Sequence, residues 1–133
     1  LNWSAAGDDL DLHLVNGSGA LLSDQDCYYG NCTWGGLDWG QTGVPDDDPN
    51  LTLDDIQGTG PERIEILAPE ANAVFTVHVH DYPGSVYEAD NDATIEVYIG
   101  GTLAWSTTVV ISGEDSYTEI ATIDWSNGTV IPQ

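Results

Sequence analysis

In 133 residues the chain sets 23 aspartates and glutamates against one basic side chain, Arg63, for a formal charge of −22 at pH 7. Phosphate recognition needs Lys and Arg, so nucleic acids and anionic membrane surfaces are excluded as partners. A composition that is 41% hydrophobic, with five Trp and six Tyr, excludes the disordered class.

Like charges at this density destabilise a compact state unless cations or salt offset them. A mass of 14.2 kDa suits a single domain, residues 1–133, with a real core. There is no apolar run of about eighteen residues and no basic stretch before an apolar one, so neither a membrane span nor a signal peptide is expected. The chain starts at Leu1 without Met and reads as a mature or excised segment of something longer.

Period-two alternation dominates from the start. Between Asp8 and Asn16, Leu10, Leu12 and Leu14 fall on one strand face and Asp9, Asp11 and His13 on the other, which predicts a half-buried strand. Cys27 and Cys32 then enclose Y-Y-G-N, a spacing that suits a small disulfide-closed loop; a pair of free thiols in a reducing compartment is the alternative. The disulfide implies export.

Gly30 to Pro61 carries hardly any strand signal and predicts a long functional loop pinned by the disulfide, by Trp34 and Trp39, or by a cation. Alternation resumes at Ile64 and Ile66, at Phe75, Val77 and Val79, and at Ile95, Val97 and Ile99. Gly100-Gly101 predicts a hairpin into Thr102 to Ile111, and a last long strand is expected from Tyr117 to Trp125. No window has helical spacing. The pattern predicts an all-β antiparallel sandwich, jelly-roll-like, with one long loop pinned by the small disulfide. A strand at either terminus, such as Leu1 to Ala5 or Thr129 to Gln133, is a candidate to add to a neighbour's sheet edge.

Five of the seven asparagines open an N-x-[ST] sequon, namely Asn2, Asn16, Asn31, Asn50 and Asn127, where chance predicts about one. They mark candidate glycosylation sites of a secreted or surface protein, although Asn-Gly turns account equally well for Asn16 and Asn127.

Calcium takes hard oxygen ligands from Asp, Glu and carbonyls, and would relieve the repulsion among acids that bind it. Asp9 and Asp11, on one strand face, are candidates to meet Asp54, Asp55 and Glu62 from the long loop. A second cluster is Glu88, Asp90 and Asp92; the run Asp46 to Asp48 reads as a solvated face. No EF-hand loop is present. His13, His78 and His80 lie on strands and either converge on one ligand or are separate sheet histidines. Trp34, Trp39, Tyr28 and Tyr29 are candidates to stack on a sugar or line a peptide groove, or else they cover the core. No nucleophile elbow, zincin helix or phosphate loop appears, so a catalytic role is not expected.

Taken in order, D-D-L-D-L-H-L (Asp8 to Leu14), C-Y-Y-G-N-C (Cys27 to Cys32), G-G-L-D (Gly35 to Asp38), L-D-D-I-Q-G-T-G-P-E-R-I (Leu53 to Ile64), V-H-V-H-D-Y (Val77 to Tyr82) and A-T-I-E-V-Y-I-G-G (Ala93 to Gly101) form a pattern. It resembles a secreted β-sandwich domain family of myxobacterial surface proteins, and is similar to the calcium-dependent peptide-binding domains of large bacterial adhesins. The resemblance implies that Asp9 or Asp11, Asp38, Asp54 or Asp55, and Glu62 lie near bound calcium, and that calcium helps capture a ligand carboxylate.

The expected function is a non-catalytic, calcium-stabilised extracellular or cell-surface domain for adhesion or recognition of a peptide or glycan. The alternatives are a glycosylated subunit of a surface filament that pairs with copies of itself, and an accessory module of a secreted hydrolase.

Overall fold

The computed structural model describes all residues, Leu1–Gln133. Ten strands and no helix form the fold: β1 (Asn2–Trp3), β2 (Leu10–Asn16), β3 (Asp26–Cys27), β4 (Asn50–Leu53), β5 (Arg63–Glu65), β6 (Val74–Asp81), β7 (Asn91–Ile99), β8 (Thr102–Ile111), β9 (Tyr117–Asp124) and β10 (Thr129–Pro132). All strand pairs are antiparallel, in a three-stranded sheet β1-β7-β8, a five-stranded sheet β10-β9-β6-β2-β3 and the pair β4-β5.

The alternating residues make the sandwich. Val77 and Val79 of β6, with Leu10, Ile120 and Ala121, pack in one buried cluster with Trp3, Ala93, Ile95 and Ile111 of the other sheet. Each fully buried aliphatic side chain contributes about 1.5–3 kcal/mol. The hairpin between β7 and β8 turns on Gly100 and Gly101, both at positive φ (58° and 77°), which side chains with a Cβ rarely adopt.

The long loop departs from expectation in two ways. Asn50–Leu53 forms β4, pairing with β5, while Thr33 bridges Leu51 in parallel. Four residues are too few to show a period in sequence, and the strand exists because its partner does. Trp39, a candidate either to stack on a ligand or to cover the core, does the second: it is only 3% exposed and stacks on Phe75 in a second core with Cys27, Cys32, Leu37 and Leu51. The run Asp46 to Asp48 is more than a solvated face. Asp47 is buried and its Oδ2 accepts from Gln41 N at 2.7 Å, while Asp48 Oδ1 accepts from Trp39 N at 2.6 Å.

Cys27 and Cys32 are disulfide-bonded and fully buried. Chain-entropy arguments for so short a loop give about 2 kcal/mol. The Cys27→Ala/Cys32→Ala protein is therefore expected to lose at least that much stability in urea denaturation; an unchanged midpoint would show the bond to be dispensable.

Both terminal strands pair inside the molecule. β1 pairs with β7 and, with Leu1 before it, also bonds the segment at Thr59 and Glu62, whereas β10 pairs with β9 alone at the end of its sheet. Glu88, Asp90 and Asp92 are exposed and gather no site. The residue they flank, Asn91, is 1% exposed. Its Oδ1 accepts from Ser4 N, Ser4 Oγ and Ala5 N, and its Nδ2 donates to Ala5 O and Asp8 Oδ2, tying the N-terminal segment to both sheets.

Candidate metal centre

Two residues apart in extended chain means one face, and Asp9, just before β2, shares it with Asp11 in the strand. The third acid arrives by way of β1. Glu62 N donates to Leu1 O at 2.9 Å and Trp3 N to Thr59 O at 3.0 Å, so the segment before β5 lies against the first residues of the chain. Gly60 is needed there. Its φ is 86°, and a Cβ would meet Leu1 O at 2.8 Å and Asn2 Cα at 3.0 Å. The Asp55 carboxylate folds the same turn by accepting from Gly58 N and Gly60 N, each at 2.8 Å.

Asp9, Asp11 and Glu62 each place a carboxylate oxygen within 4.8 Å of the others, and no other Asp, Glu, His or Cys residues form a group of three this close. Glu62 is 1% and Asp11 3% exposed. One Glu62 oxygen, Oε2, accepts from Leu12 N at 2.6 Å; the other, Oε1, is buried with no hydrogen-bond partner, as is Asp9 Oδ1. Such unpaired buried oxygens are costly.

Burial, reinforced by Asp11 and Asp54, pushes Asp9 up to about 7. Burial pushes Glu62 up to about 9, against the Leu12 hydrogen bond that favours its charged form. Asp11 is also raised by burial, although His80 beside it acts in the opposite direction. The one arginine does not help, because exposed Arg63 is paired with Glu65 at 2.8 Å. Three hard oxygen donors on separate side chains, with lone pairs unused, suit an oxygen-seeking cation better than a soft one. This buried acidic group is able to hold a metal ion.

The remaining acids expected here divide. Asp54 is exposed, yet its charge acts on Asp9, Asp11 and Glu62. Asp55 is occupied by the turn it folds. Asp38 is exposed and accepts from Gly43 N at 2.9 Å in the Trp39 loop, outside the acidic group.

The polar face of β2 is not a solvated one. His13 is fully buried, its Nδ1 2.7 Å from Asp26 Oδ2. His13, Tyr28, Tyr29, Tyr82, His80 and Tyr117 close a circuit of ring contacts with centroids 4.0–5.8 Å apart. A half-buried strand becomes buried on both faces because the disulfide loop lays its tyrosines over the outer side. His80 lies between Asp11 at 3.3 Å and Asp115 at 3.2 Å; burial lowers its pKa, but these two carboxylates outweigh burial and raise it overall. His13 and His78 face each other in the register and all three histidines share this outer face, but they do not form a three-ligand group. Asp26, Tyr82, Tyr117 and Asp115 carry no sequence signal of their own; only the pairing of β3, β2, β6 and β9 brings them in.

Trp34 presents its ring outward. It is 96% exposed at a φ of 69°, beside an open depression of about 500 Å³ shared with Leu37, Pro45 and Pro49. Trp34→Ala is expected to leave the unfolding free energy within about 0.5 kcal/mol of wild type in urea, as for any side chain that packs on nothing. A larger loss would make the indole a packing residue.

Of the sequon asparagines, Asn2 and Asn127 are exposed and Asn16 and Asn50 half-buried. Asn31 conflicts with a glycan, because its Nδ2 donates to Ser23 O at 3.2 Å and to Asp26 O at 2.9 Å inside the disulfide loop.

Comparison with known protein families, curated proteins and solved structures finds no match.

Proposed function

We propose that the chain is a non-catalytic, calcium-stabilised domain of the cell exterior, serving in surface recognition of a peptide or glycan. The observation that carries the cation is the unpaired, buried Glu62 Oε1 among Asp9 and Asp11. A carboxylate group so placed either holds protons or holds a metal. In an exterior medium calcium is the hard cation that tolerates mixed carboxylate, carbonyl and water ligation.

Asp9, Asp11 and Glu62 would hold the ion, with Asp54 adding charge from the rim. Bound calcium would neutralise the acids and fasten the segment before β5 to β2. The disulfide fits an oxidising compartment, and outward Trp34 offers a ring on which a sugar or peptide side chain can stack.

Titration calorimetry of EDTA-stripped protein tests the cation. Calcium is expected to bind at one site with magnesium competing poorly, since magnesium demands a tighter octahedral shell. No heat and no protection by calcium would remove the metal from the proposal.

A further inference from the structure

Four strands end the two main sheets, and three of them are protected by being short. β1 and β3 have two residues each, and β10 has four, including Pro132. The fourth is β8, with ten residues. Its backbone bonds all belong to the ladder with β7, and none of the other backbone hydrogen bonds in the molecule involves residues 102–111. Its outward N–H and C=O groups therefore have no partner in the chain.

Natural edge strands are usually blunted by charge, proline or brevity. β8 has none of these. Its sequence, T-L-A-W-S-T-T-V-V-I, contains no charged residue in a chain of charge −22. Every other strand longer than four residues carries at least one carboxylate: Asp11 in β2, Asp81 in β6, Asp92 and Glu96 in β7, Glu119 and Asp124 in β9. Leu103 and Val110 are 49% and 58% exposed along it.

We propose that β8 is the contact strand of a symmetric homodimer, pairing antiparallel with β8 of a second copy so that the two three-stranded sheets run on as one. Charge selects the occupant. Any other long strand of this chain would bring a carboxylate to the edge, whereas β8 meets β8 with none, and a two-fold axis places the same neutral surface on both sides. The nearest acids, Asp92 and Glu96 of β7, stand one strand in from the contact, opposite Val110 and Ser106. Repulsion between two bodies of −22 remains, so association strengthens as salt shortens the screening length from about 10 Å at 0.1 M to about 3 Å at 1 M. Pairing does not depend on the cation site, which is built on β2 in the other sheet.

Sedimentation of the whole chain at rising concentration, in 0.1 M and 1 M NaCl with EDTA present, is the test. A monomer–dimer equilibrium that tightens with salt is expected, together with slowed amide exchange confined to residues 102–111. Thr108→Glu, at an exposed position, sets like charges near one another across the axis and is expected to weaken the dimer about tenfold or more. An equal mixture of Thr108→Glu and Thr108→Lys chains restores association as a heterodimer. Circular dichroism of each variant checks that the fold is kept. Wild type that stays monomeric at millimolar concentration in 1 M salt overturns the proposal, as does Thr108→Glu protein that dimerises like wild type.

Discussion

Calcium added to stripped protein at pH 8 is expected to raise the melting temperature by about 5–10 °C at a free concentration a hundredfold above its dissociation constant. Mass action supplies about 2.7 kcal/mol under that condition. A domain of this size gains about 2–4 °C for each of them.

The pH dependence carries a sign that ordinary surface carboxylates do not give. Asp9 and Glu62 have folded values pushed up to about 7 and about 9, against 3.8 and 4.5 for the unconstrained groups. Between these limits the folded state holds protons that the unfolded state releases. The stability they contribute is present at the acid end of the window and is lost as pH rises through the folded values.

Stripped protein should therefore melt lower at pH 9 than at pH 6. Calcium displaces the same protons, so its affinity rises with pH, and the melting difference between the two pH values narrows when it is present. Calorimetry in buffers of different ionisation enthalpy reads the released protons directly. A stripped protein whose melting temperature is flat from pH 6 to 9 would show that Asp9 and Glu62 titrate like exposed acids.

Strands were legible in the sequence where a period had room to repeat. Phe75, Val77 and Val79 fix β6, and the run from Gly100-Gly101 to Ile111 gives β8 with its turn. β4 was not legible, because four residues show no period and its formation depends on β5 and Thr33. The metal group was half legible. Asp9 and Asp11 share a face by strand geometry alone, but the delivery of Glu62 rests on Leu1 and Trp3 bonding to the segment before β5, which no spacing encodes. Alternation misled at His13 and Asp11. It marks a strand as two-faced without saying whether the polar face meets water, and here Tyr28 covers His13 in a stacked contact at 5.0 Å. Trp39 was open between ligand and core from the loop side, and it is a core residue because Phe75 lies beneath it.

Glu62 offers the sharper experiment, because two substitutions at this one position are expected to move stability in opposite directions. In Glu62→Gln the side-chain carbonyl still accepts from Leu12 N, now 2.6 Å from Oε2. The amide nitrogen takes the place of unpaired Oε1 and can donate toward Asp9 or Asp11. At pH 8 wild-type Glu62, pushed up to about 9, has to keep a proton that the unfolded chain releases, whereas glutamine is neutral in both states and turns an orphan oxygen into a donor among acceptors. Metal-free Glu62→Gln should thus melt several degrees above metal-free wild type at pH 8, while calcium no longer raises it. Glu62→Ala leaves Leu12 N without its partner and opens space in a position that is 1% exposed, costing about 2 kcal/mol or more. Calcium should fail to rescue it as well. If Gln and Ala were equally destabilising without metal, the carboxylate would be a structural acceptor whose charge the fold requires. If Glu62→Gln kept the full calcium response, the ion would bind elsewhere, and the unpaired oxygen would need another explanation.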